Sequence, residues 1–135
     1  MSKDDWFRIP SLTQEAQEQF EQRLKRSRSS RPEYMRIQAH ALIAAGAYHQ
    51  AILLLNRVFE DHPGHLNAWI HEDLAKCYQQ LGQLTNAIQE YRRSIEAMRC
   101  SPRLQSNAPV LLAELVCKHG ISDQYEECLE YLVEF

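Results

Sequence analysis

Leu74-Ala75-Lys76-Cys77-Tyr78-Gln79-Gln80-Leu81-Gly82-Gln83-Leu84-Thr85-Asn86-Ala87-Ile88-Gln89-Glu90-Tyr91 reads as two helices broken at one point. Apolar residues recur at helical spacing on both sides of Gly82, and glycine is the residue that enters the left-handed conformation closing a helix. The chain then folds back on itself. Ala75 and Ala87 are small enough to let two antiparallel backbones approach, while Tyr78 and Tyr91 fill the space one turn away.

The same frame occurs twice more. Gly46 is followed by Ala51, Leu55, Val58 and Pro63, and Gly120 by Tyr125, Leu129, Leu132 and Val133. The three glycines stand 36 and 38 residues apart, with Ala39, Ala75 and Ala113 seven before them and Leu42, Tyr78 and Val116 four before. A helical hairpin cannot bury its apolar face alone, so repeated hairpins stack into a right-handed array. The expected fold is all-α: an N-terminal covering helix over 11–31, then three hairpins over 32–65, 66–102 and 103–135, after an extension over 1–10.

The segment 33–135 resembles the tetratricopeptide repeats, whose pattern has a glycine, an alanine five later, an aromatic four after that and a closing proline. The second window matches best, through Leu74, Ala75, Tyr78, Gly82, Ala87 and Tyr91. In the first, Gln38 stands where leucine is usual and Leu55 where the aromatic is usual; in the third, Tyr125 replaces the small residue.

Composition fits one globular domain: 44% of the 135 residues are hydrophobic and 24% charged, and four Gly with five Pro exclude collagen-like and low-complexity chains. No apolar run approaches the roughly 20 residues that span a bilayer, and Met1-Ser2-Lys3-Asp4-Asp5-Trp6 is too acidic for a secretory signal. A cytoplasmic protein without membrane contact is the expectation. Cys77, Cys100, Cys117 and Cys128 form no CxxC and read as reduced, small hydrophobes. His62, His65, His71 and Cys77 lack the paired spacing of a zinc site, so neither a metal nor a cofactor is expected.

Ser11 with Gln14 resembles a capping box opening a helix whose apolar stripe is Leu12, Ala16, Phe20 and Leu24. That helix covers the first hairpin or, as the alternative, detaches to dock elsewhere or to occupy the protein's own groove. At the far end no polar helix follows, so Tyr131 and Phe135 are expected to leave apolar surface for self-association or a partner.

The net charge of −3 is unevenly spread, with seven basic and five acidic groups in 1–32 and eight against thirteen in the rest. Arg23, Lys25, Arg26, Arg28 and Arg31 could contact phosphates, but few aromatics are interleaved to stack on bases. A solvated helix face fits them better, ahead of an acidic protein surface such as another copy's C-terminal helix, and nucleic acid is disfavoured. No nucleophile–base arrangement or phosphate-binding glycine loop is present, and the pairs Glu72-Asp73 and Glu126-Glu127 diverge on a helix.

Recognition is therefore the expected work. By helical spacing and by the resemblance, the first helix of each hairpin lines a concave groove: Glu33, Arg36, His40 and Ile43, then Trp69, Glu72, Lys76 and Gln79, then Asn107, Val110 and Glu114. Trp69 stands toward the groove edge or packs between the first two repeats. The family's carboxylate clamp for peptide C-termini fits poorly, because His40 stands where Asn is expected and Glu114 would repel the carboxylate. A noncatalytic protein- or peptide-binding adaptor or scaffold is the expected function. The alternative is a self-associating structural or regulatory protein, including an inhibitory partner of another protein, with a homodimer through the C-terminal helix.

Overall fold

The three chain reversals share one hydrogen-bonding geometry. Gly46, Gly82 and Gly120 carry φ angles of 80°, 75° and 64°, a region where a side chain is strained. Each glycine N–H donates to the carbonyl three residues back: Gly46 to Ile43 at 3.0 Å, Gly82 to Gln79 at 3.1 Å and Gly120 to Cys117 at 3.2 Å. The next N–H reaches five back: Ala47 to Leu42 at 2.8 Å, Gln83 to Tyr78 at 2.9 Å and Ile121 to Val116 at 3.0 Å. This pair of bonds is the Schellman closure, which satisfies carbonyls that the helix end would otherwise orphan.

The structure is a computed structural model describing residues 5–10, 13–27, 29–64 and 66–135. Among these, seven α-helices and two single 3-10 turns occur and no strand. Residues 1–4, Ser11, Leu12, Arg28 and His65, which enter several of the expectations above, lie outside the described residues. The chain divides into two units, 1–65 and 66–135.

The first unit holds the turn Asp5–Phe7, α1 (Gln14–Arg26), α2 (Arg31–Ala44) and α3 (Tyr48–Asp61). Helix α1 opens later than the Ser11 box implied: Thr13 is the cap, its hydroxyl accepting from the Ala16 N–H at 3.2 Å, and the Gln14 amide turns forward to Glu18. Phe20 and Leu24 bury the helix's apolar stripe. A bidentate pair from Arg57 to Glu21 sets α1 on α3, and Glu21 holds the Arg57 guanidinium above its ordinary pKa. Half-exposed, that pair fixes register more than it stabilises. Ala39 and Ala51 are fully buried in the α2–α3 hairpin.

The second unit holds α4 (Asn67–Gln80), α5 (Leu84–Cys100), α6 (Ala108–Lys118), the turn Ser122–Gln124 and α7 (Tyr125–Glu134). Its core gathers Ala75, Ala87, Tyr91, Ile95, Met98, Leu112, Leu115 and Val116. Helix α7 joins differently, because Cys128 is its one buried residue among those described. Tyr131 packs against the core beside it, and half-exposed pairs set the register on α5: Arg92 donates to Gln124 and Glu127 at 2.8 Å each, and Arg99 to Glu134 at 2.8 and 2.6 Å.

A Cβ built on Gly82 meets nothing within 4 Å, so a side chain there costs backbone strain alone. Gly82→Ala is expected to destabilise the chain by about 1–2 kcal/mol, lowering the melting temperature by roughly 3–6 °C. Gly82→Asn should cost less, because asparagine tolerates the left-handed region. Equal midpoints for the glycine and alanine chains in a thermal melt would contradict the reversal.

Candidate functional site

In the second unit the first helices of both hairpins present one stripe each. Trp69, Glu72, Lys76 and Gln79 recur along α4 at steps of three and four, which keeps them on one face. Asn107, Val110 and Glu114 do the same from the cap of α6 onward. Two polar ties bring the starts of these helices together. The Glu72 carboxylate accepts the Asn107 N–H at 2.6 Å, and the Trp69 indole N–H donates to the Gln105 carbonyl at 2.7 Å. The Tyr91 hydroxyl of α5 donates to the Gln79 side-chain oxygen at 2.9 Å. Burial first, then the charges of Glu72 and Glu114, raise the pKa of that hydroxyl.

These ties set the start of α6 against α4, the two helices whose stripes were expected to line a groove. Their side chains are less available than sequence spacing implied. Glu72, expected to line a groove, is only 6% exposed, and its second oxygen takes the Lys76 ammonium at 3.1 Å. Its work is to supply an anion at the N-terminus of α6, where the helix dipole favours one. Gln79 is likewise committed to Tyr91. Trp69 is half-buried and anchored toward the α5–α6 loop. Val110, 51% exposed, and Glu114 are the open members of the set. Lys76 is paired with Glu72, and the exposed Glu114 places a carboxylate one helical turn from Val110.

In the first unit, Glu33, Arg36, His40 and Ile43 share one stripe of α2, His40 exposed and the others half-buried. The basic stretch is divided. Arg31 bends back to close α1, its guanidinium donating to the carbonyls of Ser27 at 2.5 Å and Lys25 at 2.9 Å. Its side chain thus caps the end of α1. Arg23, Lys25 and Arg26 are exposed on the last turn of α1, where cations are favoured.

Sequence spacing did not reveal the buried polar links. His71 and Glu90 meet at 2.7 Å and Arg93 donates to Glu90 at 2.6 Å, joining α4 to α5. Ser94 donates to the Ala68 carbonyl at 2.6 Å and meets Ser106 at 2.7 Å. Burial, followed by the charge of Asp73, pushes the Cys77 thiol up to about 12, and burial also raises Cys128. Such thiols are inert at neutral pH. Among the described residues, no group of three His, Cys, Asp or Glu side chains is placed to hold a metal ion, and no helix is long and apolar enough to cross a membrane.

Residues 42–106 match the model of the tetratricopeptide repeat family. Neither a curated protein nor a solved structure matches the chain.

Removing the anion beneath α6 tests the first tie: Glu72→Ala should cost about 1.5–3 kcal/mol, more than Lys76→Ala, in urea unfolding; equal costs would argue that Glu72 serves only Lys76. The thiols give a second check. Ellman's reagent at pH 8 should label the exposed Cys100 and Cys117 in the folded chain, and Cys77 and Cys128 only after denaturation. Because Cys77 titrates at about 12 when folded and near its ordinary 9.0 when unfolded, stability is full below pH 9 and falls as pH rises toward 12. A urea midpoint that stays constant from pH 8 to 10.5 would contradict the burial.

Proposed function

With residues 42–106 making this chain a tetratricopeptide repeat protein, we propose that it is a noncatalytic adaptor or scaffold that binds a protein or peptide in the α4–α6 trough. Repeats of this family generally mediate protein–protein interaction. The observation that carries the proposal is an open apolar residue, Val110, one turn from an exposed carboxylate, Glu114, on the helix whose preceding loop holds the Trp69 indole. Such a surface suits a segment bearing one apolar anchor flanked by basic residues. The free cysteines, two of them exposed, suit the reducing cytoplasm.

A second reading rests on α7. Leu129 is 63% and Val133 88% exposed, with Leu132 and Phe135 also open. This apolar stripe favours self-association. Tyr131 is not part of it, since its ring lies half-buried under Arg99 and its hydroxyl donates to Glu127. Glu127 and Glu134 are already paired with arginines of α5, which leaves less acidic charge on α7 for another copy's basic helix.

A random-peptide display selection against the full chain separates the readings. Enriched peptides should carry a basic residue next to an aliphatic or aromatic one, and Val110→Glu with Glu114→Lys should abolish their binding while the melting temperature stays within about 2 °C. Peptides that bind the double variant equally well would overturn the trough. A wild-type dimer dispersed by Val133→Asp, with no peptides enriched, would favour self-association.

A further inference from the structure

Gln38, fully buried on α2, spends its whole amide on one residue. Its carbonyl oxygen accepts the Ile9 N–H at 2.7 Å, and its amide N–H donates to the Ile9 carbonyl at 2.6 Å. Two opposed bonds to one residue are what a neighbouring strand supplies in an antiparallel ladder. The side chain thus reads extended backbone, accepting any residue except proline, which lacks the N–H. Side-chain selection comes from aromatic rings just before it. Phe7 is buried 4.7 Å from the Tyr34 ring, and Trp6 lies 5.1 Å from Tyr34 and 5.8 Å from Phe20, centroid to centroid.

We infer that this seat on the first hairpin is a peptide-recognition site, filled in cis by residues 5–10. Its ligand is a segment that makes a single 3-10 turn through two aromatic residues and, two positions on, offers Gln38 the N–H and carbonyl of any residue but proline. Backbone recognition by Gln38 is independent of which chain supplies the backbone, and the aromatic contacts define a short linear motif that another protein can carry. An empty seat leaves both polar atoms of a buried amide unsatisfied and bares Tyr34 and Phe20, so simple opening is disfavoured. Replacement by a second peptide restores every contact. The seat therefore works by exchange, and the tethered segment, present at high effective concentration, holds a competing peptide off until that peptide is tighter or the segment is weakened. The inference is independent of the α4–α6 trough, none of whose residues takes part.

The probe is the hexapeptide Asp-Trp-Phe-Arg-Ile-Pro with an N-terminal dye, followed by fluorescence anisotropy against the full-length chain. Weakening the tethered segment by Trp6→Ala with Phe7→Ala should tighten probe binding about tenfold or more over wild type. Adding Gln38→Leu should cancel that gain, and a probe with proline in place of isoleucine should not bind. Ile9→Pro, which leaves every side chain of the seat in place, carries the same expectation should the double variant lose its cooperative melt. Probe binding no tighter than wild type in a folded weakened chain would overturn the inference, as would tight binding that survives Gln38→Leu.

Discussion

Everything in this molecule depends on three places where the backbone enters the left-handed region so that a helix can end and double back. Glycine at 46, 82 and 120 makes the reversal cheap, and the paired bonds to the carbonyls three and five residues before fix its direction. Direction matters because it decides which face of the next helix meets the last one. With alanines at the closest approach, the hairpin faces mesh, and the opposite faces of the first helices are left to meet something else. Ser30 and Leu66, each preceding a first helix, also hold positive φ, so the spacing of 36 recurs in the backbone at these non-glycine positions.

The polar side chains near those free faces mostly serve the fold. Glu72 anchors the start of α6, Gln79 holds the Tyr91 hydroxyl, and Arg31 closes α1. These groups are buried or half-buried, where an unpaired polar atom is expensive, so they are tied before any partner arrives. What remains open in the second unit is narrower than the full stripe: an apolar residue and a carboxylate, with a tryptophan held half-buried. A surface of that kind gains specificity from having few, fixed features.

The hairpins were legible because they rest on local rules: glycine at a cap, alanine at a crossing, apolar spacing near 3.6. Tertiary polar contacts were not. No spacing rule places Glu72 against Asn107, which lies 35 residues away and one hairpin on. Gln38 did carry a signal, since it stands where the family has leucine. Its partner was hidden because the amide binds Ile9 through backbone, which leaves no trace in residue type. The capping error at α1 has a similar source. Ser11 and Thr13 are both good caps, and only the path of the chain chooses between them. Exposure along α7 was foreseen in kind but not in detail, because Arg92 and Arg99 of α5 pair with Glu127 and Glu134 and Arg99 lies over the Tyr131 ring.

The side-by-side placement of α4 and α6 is the central claim, and the Asn107 amide proton reports on it most directly. In an isotope-labelled sample its nuclear Overhauser contacts should include Glu72 side-chain protons, and its exchange with solvent should be slow although Asn107 itself is exposed. An Asn107 amide that exchanges at the rate of an unstructured peptide, with no contact to α4, would separate the two walls and contradict the account.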